Sequence, residues 1–415
     1  MLQLLAVMAL IQAGIAVARP VTTYRAIDLG AGALAVGLLT GAFALLPMLV
    51  ALPLGRLADR RRPEPILVGG LALLVAGCVL LAVSDSLSGI AAGNVVLGLG
   101  NLGCIVGGEN VVARLPPAQL DGGFGLFTAV VSGGQLVGPA LAGFVLSTAP
   151  GDLSSGTSRA LLVSAGLCAL GLPAAVWLAI RRRFPAPQGR PGEQSLPASR
   201  ILRLPGVPSG VFTSLVLAAA VDLLTAYLPL LGESRGIAPS TVGVLLSVRA
   251  GATVASRVLV PRMLRWLGRP RLVVLSTVGS GLAVACLPAA GNVAVLAVLL
   301  AGIGFLLGVG QPLMMTVIVR AVPEDARGAA LALRLVGNRI GLVGTPAAAG
   351  LLAGTTGLSA AFWLLGALLG VAIVGARHDV EEDDDVTPPP GRATGAGDTA
   401  AGRGPVTGAG GERSR

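Results

Sequence analysis

Several ionisable side chains lie inside long apolar runs of this sequence, where a charge is costly and is usually retained for a function. A guanidinium group in such a place can bind an anion, and a carboxylate can take up and release a proton. The predicted site residues are Arg19, Glu109, Asp222, Arg249 and Arg339. Asp222 lies near the middle of its run, whereas Glu109 lies closer to the end, so Asp222 is the predicted proton site and Glu109 the reserve.

The sequence contains no constellation that indicates catalysis or a metal. The only histidine, His378, follows the last apolar run, and the four cysteines lie far apart inside apolar runs. There is no lysine, so a Gly-Lys nucleotide-binding loop is absent. We therefore expect no catalytic residues, no metal and no cofactor. A membrane-embedded enzyme or receptor is the alternative of another class, and an enzyme would show clustered acids or a nucleophile beside its base.

The elements that carry these charges are predicted to be membrane helices. Of the 415 residues, 54% are hydrophobic and only 12% are charged, with a mean hydropathy of +0.83. A soluble domain of this length is less apolar, so the expected partner is the lipid bilayer. The net charge of +10 comes from arginines, most of which lie in short segments between apolar runs. This distribution does not favour nucleic-acid binding.

Twelve apolar runs are long enough to cross a bilayer. Their approximate limits are 2–24, 33–55, 65–84, 87–113, 122–148, 158–180, 209–231, 239–262, 271–290, 293–319, 328–353 and 357–376. The chain begins without the basic residues of a signal peptide, so the first run is predicted to be a spanning helix.

Arginines are concentrated in the segments that follow even-numbered runs, such as 56–62, 181–203 and 262–271. Positively charged segments stay in the cytoplasm, so both termini are predicted to be cytoplasmic. The sequence thus indicates a multi-pass protein of the plasma (inner) membrane, which we expect to be a monomer.

The two halves of the chain are related. A shift of 207 residues places Pro139 on Pro346 and Gly143 on Gly350, and a shift of 206 places Gly37 on Gly243. Six helices per half give both halves the same topology. The predicted fold is an all-α membrane protein with two parallel six-helix repeats. The predicted domains are 1–180, a cytoplasmic linker 181–208, 209–376, and a disordered cytoplasmic tail 377–415.

The fifth run is rich in glycine. Gly134, Gly138 and Ala142 are four residues apart and form one smooth stripe on a helix, along which another helix can approach closely. Pro139 lacks an N–H and predicts a bend. We predict that this stripe is a sliding and bending seam between the two halves; static packing is the alternative.

The spacing in this run resembles the helix-5 "antiporter motif" of the major facilitator superfamily. The matching positions are Gly125, Gly134, Gly138, Pro139 and Gly143. The segment "GRLADRRRPEP" between runs 2 and 3 resembles the other signature of the superfamily, through Gly55, Leu57, Asp59 and Arg60. Pro63 and Glu64 depart from its usual ending.

The resemblance implies a secondary transporter that moves a small molecule by alternating access. Helices 1, 4, 7 and 10 would line the central cavity, and helices 3, 6, 9 and 12 would face lipid. The four lipid-facing helices carry no ionisable residue in their interiors. The helix-5 motif implies proton-coupled efflux as the leading direction. A symporter or uniporter that imports an anionic metabolite is the alternative.

The apolar runs contain five arginines but only two acidic residues, which indicates a basic cavity and a negative or strongly polar substrate. The arginines are Arg19, Arg249, Arg257, Arg334 and Arg339. Two positions depart from the superfamily pattern. Asn94 stands where many antiporters carry an Arg, and Arg265 stands where the second copy of the loop motif would carry an Asp.

Asp59 is predicted to act as a latch that holds the cytoplasmic side closed through a charge-assisted hydrogen bond. For Arg60 and its neighbours, the favoured interpretation is a topology signal with a surface salt bridge.

We expect Asp59→Asn to reduce transport about tenfold, because the loss of one hydrogen bond to a charged group costs roughly 1.5 kcal/mol. The measurement is substrate flux together with the amount of folded protein in the membrane. Wild-type flux in a well-folded variant would refute the latch.

Overall fold

The computed structural model describes residues 1–60, 63–113, 117–149, 151–181, 198–322 and 327–385, and the regular structure of these residues is helical. The first half consists of α1 (Leu2–Asp28), α2 (Ala33–Arg60), α3 (Glu64–Val83), α4 (Leu87–Ala113), α5 (Pro117–Ser147) and α6 (Leu153–Arg181). The second half begins with a short helix, Ala198–Ile201, followed by α7 (Val207–Ser234).

The next helical segment, Pro239–Cys286, is broken at Gly268, whose φ of 71° lies in the left-handed region that ends a right-handed helix. We number its two limbs α8 (239–267) and α9 (269–286). A 3₁₀ turn, Leu287–Ala289, follows. The chain continues through α10 (Val293–Arg320), α11 (Arg327–Thr356) and α12 (Ser359–Asp385).

The described helices are consistent with the twelve predicted spans but do not reproduce that count exactly. Within the described residues, ten helices are apolar and long enough to cross a membrane, and the longest of them contains both α8 and α9. The apolar part of α12, Ser359–Ala372, is shorter. The prediction of an all-α membrane protein is therefore confirmed.

The last helix differs from the predicted tail. α12 extends to Asp385, so the first nine residues of the segment predicted as disordered from 377 are helical. Once a helix has formed, each further residue adds one backbone hydrogen bond without the cost of nucleation, so an apolar span can extend into a polar segment. Residues 386–415 lie outside the described part of the chain.

Alternate helix ends define two faces of the bundle. We call the face at which α1 ends and α2 begins the arginine-poor face, and the face at which α2 ends and α3 begins the arginine-rich face. In the first half, α1 packs against α5 and α6, and α3 packs against α4 and α6. In the second half, α7 packs against α10, α11 and α12.

The halves contact one another through α2 against α11 and α5 against α8. At the first crossing, a Cβ on Gly37 would collide with the carbonyl oxygen of Pro346 and approach Gly350. At the second, a Cβ on Gly243 would collide with the carbonyl oxygen of Pro139 and approach Gly143. These are the same residues that the internal repeat superimposes. The two crossings are therefore two copies of one contact, and both lie toward the arginine-poor face.

The predicted seam along Gly134 and Gly138 is wrong. A Cβ at Gly134 would meet Gln12 and a Cβ at Gly138 would meet Ala16, both on α1 of the same half. Pro139 and Gly143 lie one position further round the helix, about 100° away, and face the other half instead. The backbone N–H of Ala140 also donates to Ser247 Oγ on α8 at 3.0 Å.

We expect Gly243→Ala to weaken the contact between the halves, because overpacking of this kind costs about 1–3 kcal/mol. The state closed at the arginine-poor face should become less populated while each half stays folded. Spin labels at Thr148 and Ser234, exposed on the two halves at this face, report the distance between them. Gly133→Ala, where nothing lies within 4 Å of the added Cβ, is the matched control. Equal distance distributions in the two variants would contradict the assignment.

Candidate functional site

The central feature is an ion pair between Arg19 on α1 and Asp222 on α7. Arg19 Nη1 donates to Asp222 Oδ1 at 2.7 Å and Nη2 donates to Oδ2 at 3.0 Å. The two side chains are only 15% and 13% exposed. A two-pronged guanidinium–carboxylate pair fixes both side chains, and this one joins the two halves of the molecule.

Arg19 is also held by an aromatic ring. Its guanidinium carbon lies 4.3 Å from the centre of the Phe43 ring on α2. The ring face attracts the cation most strongly where water is excluded. Arg19 thus connects three helices from both halves.

A cavity of about 200 Å³ lies on the arginine-rich side of this pair. Its described lining comes from α1, α2, α4, α5, α7, α8 and α11. The polar lining residues are Gln12, Arg19, Asn101, Gln135, Asp222, Thr225, Arg249 and Arg339. The structure therefore brings four of the five predicted site residues together.

Two arginines in the cavity wall, Arg249 and Arg339, form no ion pair among those described, although both interact electrostatically with Asp222. The described ion pairs involve only Arg19 and Arg25 as cations. Arg249 is 7% exposed, its Nε has no hydrogen-bond partner, and its Nη2 reaches Thr225 Oγ1 only at 3.5 Å. Arg339 lines the same wall. Since an unpaired buried charge is unfavourable, the cavity is prepared for an anion.

Amide groups around the cavity are also unsatisfied. Gln12 Nε2 and Asn101 Oδ1, both on lining residues, are buried without a described hydrogen-bond partner. Buried polar atoms are almost always bonded, so these atoms call for a ligand or water that they would contact. They offer both donors and acceptors to a polar molecule.

Glu109 does not belong to the described lining of the cavity. It is exposed on α4 and interacts electrostatically with Arg339. Arg257 donates to Ser132 Oγ at 2.6 Å and to Gln311 Oε1 at 3.3 Å, and Arg334 donates to Ser214 Oγ at 2.7 Å. These two arginines have neutral partners and lie outside the cavity wall.

Two aromatic residues were not among the predicted site residues. Phe43 supports Arg19, and the Tyr227 hydroxyl lies 3.1 Å from the carbonyl oxygen of Ala33 and 3.2 Å from that of Pro346. The Tyr227 hydroxyl therefore lies between α2 and α11 and stabilises the point where these helices cross. Aromatic residues make up only 3% of this chain, and this rarity could have marked Phe43 and Tyr227 as candidate site residues.

Asn94, at a departure from the superfamily pattern, donates to the carbonyl oxygen of Leu39 at 3.1 Å and so connects α4 to α2. The gate-loop positions Gly55, Asp59 and Arg60 lie on α2, but their side-chain surroundings are outside the described set, as are those of Gly125. The latch at Asp59 stays a prediction.

The site combines a helical bundle of two related halves, an ion pair between them and a polar cavity at the centre. The sequence profile of the Major Facilitator Superfamily matches residues 4–274 and 210–407. The chain belongs to this superfamily of membrane transporters.

Two relatives match parts of the chain. The inner membrane transport protein YajR of Escherichia coli strain K12 is 38% identical over 85 residues, which is 20% of this chain and 19% of the relative. The quinolone resistance protein NorA of Staphylococcus aureus is 31% identical over 137 residues, which is 33% of this chain and 35% of the relative. The matches thus span about a fifth and a third of these relatives.

Solved structures match nearly the whole chain. The nucleoside transporter NupG is 13% identical with a TM-score of 0.72, covering 91% of this chain and 98% of its own. A bacterial homologue of the human lysosomal transporter Spinster, in an inward-facing and occupied conformation, is 17% identical with a TM-score of 0.70, covering 91% and 96%. These similarities show the fold.

Proposed function

We propose that the protein exports a small anionic or strongly polar molecule in exchange for protons. The observation that supports this function is the Arg19–Asp222 pair, which joins the halves beside two further arginines that form no described ion pair. In the proposed orientation, the arginine-rich face and both termini lie in the cytoplasm, because positively charged segments are retained there. The proposed membrane is the plasma membrane, and the proposed functional unit is a monomer.

Coupling follows from competition for Arg19. A substrate anion in the cavity binds Arg249 and Arg339 and attracts the guanidinium of Arg19. Asp222, once released, is a carboxylate in a low-dielectric site without its counter-ion and takes up one proton. The neutral acid no longer holds Arg19, so the link between the halves weakens. After the substrate has left at the arginine-poor face, the protonated protein returns to the state open at the arginine-rich face and loses the proton there, which restores the pair and completes the exchange.

Alternating access requires that the halves separate at one face while they close at the other. In this conformation the Gly37 and Gly243 crossings and the Tyr227 hydroxyl join the halves toward the arginine-poor face. The helix-5 motif and the partial similarity to a quinolone resistance protein support export. Import of an anionic metabolite is the second candidate, because the basic cavity attracts an anion from either side.

The substrate class is tested by thermal unfolding of the purified protein in detergent with benzoate, succinate, inorganic phosphate or tetraphenylphosphonium. At ten times its Kd, a ligand of the folded state adds roughly 1.4 kcal/mol of stability. We expect at least one anion to stabilise the wild type and the effect to be lost in Arg249→Gln and Arg339→Gln. Arg203→Gln, exposed before α7, is the control. Stabilisation by the cation alone would contradict a basic substrate site.

Asp222→Asn imitates the permanently protonated acid. It should abolish accumulation of the stabilising anion in proteoliposomes with an imposed pH gradient, while exchange of that anion at equal pH continues. Both fluxes are measured in the same preparation, and the sidedness of the effective gradient distinguishes export from import. If gradient-driven flux persists in this variant, the proton site is elsewhere, and Glu109→Gln is then the variant to measure.

A further inference from the structure

A second cavity, of about 20 Å³, lies on the arginine-poor side of the Arg19–Phe43 pair. Arg19, Phe43 and Thr225 line both cavities. The stacked guanidinium and ring therefore form a partition between the central cavity and this small one. We call the small one the threonine pocket, after Thr22, Thr23, Thr40 and Thr225 in its wall.

Three threonines in the wall of the threonine pocket present hydroxyl oxygens that can accept hydrogen bonds, beside two donor groups, the Arg19 guanidinium and the Asn94 amide. The hydroxyls of Thr22, Thr40 and Thr225 donate to the carbonyl oxygens of Ala18, Val36 and Val221 at 2.8 Å in each case. Their hydrogens are thus committed to their own helices. The oxygens of Thr22 and Thr40 have no described donor, whereas that of Thr225 also faces Arg249 Nη2 at 3.5 Å. Three of the threonines, Thr22, Thr23 and Thr40, are at most 8% exposed, and no hydrogen bond of the Thr23 hydroxyl is described.

An occupant that satisfies this wall both donates and accepts hydrogen bonds, and it is about the size of one water molecule, which needs roughly 10–15 Å³. A water molecule satisfies both requirements: it can donate to two threonine oxygens and accept from the Arg19 guanidinium. A metal cation would lie directly beside that guanidinium, while Asp222 is not in the described wall of the pocket. Charge repulsion in a buried site therefore disfavours a cation.

We propose that the threonine pocket holds an ordered water molecule, the last one on the proton route from the arginine-poor face to Asp222. The Arg19–Phe43 partition separates this water from the carboxylate as long as the ion pair is intact. When a substrate anion draws Arg19 into the central cavity, the water gains access to Asp222. A proton then passes from the hydrated pocket to a carboxylate oxygen, which becomes a neutral acid. This inference rests on the proposed function, and it makes proton entry conditional on substrate.

Hydroxyl-radical footprinting of the intact protein tests the water directly, because radiolysis of a bound water labels the side chains beside it. Val36 and Leu39 line the threonine pocket but not the central cavity, and they are only 1% and 7% exposed. We expect both to be oxidised several-fold faster than Val216 and Leu223, which are fully buried elsewhere. The double variant Thr22→Val, Thr40→Val should reduce these rates to those of the controls. Equal rates in the wild type would overturn the water site.

The proton route is tested by the Thr40→Val variant in proteoliposomes with the stabilising anion among benzoate, succinate and phosphate. Loss of one hydrogen bond to the water should reduce gradient-driven flux about two- to tenfold relative to exchange at equal pH. Thr40→Ser keeps the oxygen and should restore the wild-type ratio. If the wild type is gradient-driven and Thr40→Val has the same ratio, the route alone is wrong. If no anion binds or the wild-type flux ignores the pH gradient, the proposed function fails and the route fails with it.

Discussion

The molecule depends on one interaction in a low-dielectric interior, the ion pair of Arg19 and Asp222. Each charge would be unfavourable alone among apolar helices, and together they are stable only while both halves hold the present arrangement. The pair therefore ties the conformation of the whole bundle to the charge state of a single carboxylate. The other cavity arginines, Arg249 and Arg339, add positive charge that a bound anion can satisfy. In the proposed function, binding, protonation and movement of the halves are therefore linked electrostatically.

The scaffold allows the halves to move because the α2–α11 and α5–α8 crossings bring backbone directly against backbone. Gly37 and Gly243 admit the carbonyl groups of Pro346 and Pro139 where any side chain would intervene. Glycines also pack closely within each half, as Gly138 does against Ala16, and Arg25 is buried between the ends of three helices through Ser84, Ser154 and Asp85. Rigid halves joined by smooth crossings can move as two bodies.

Sequence reasoning reached the helices, the repeat and most of the site, because charges inside apolar runs stand out against their surroundings. It did not find Phe43 or Tyr227, since the partners of an aromatic side chain depend on helix rotation and on contacts between distant parts of the chain. The same limitation explains the wrong partner for Gly134 and Gly138: spacing identifies a smooth stripe, whereas only packing shows which helix covers it.

The two helix crossings between the halves also have the symmetry of a dimer interface. In a two-fold symmetric dimer, a surface patch meets its own copy, so residue i contacts j and j contacts i. The glycine of α2 meets the proline of α11, and the repeat-related glycine of α8 meets the proline of α5. Two copies of one six-helix chain, associated about an axis along the membrane normal, would make these same reciprocal contacts. The interface within this chain thus has the reciprocal pairing of an isologous homodimer interface.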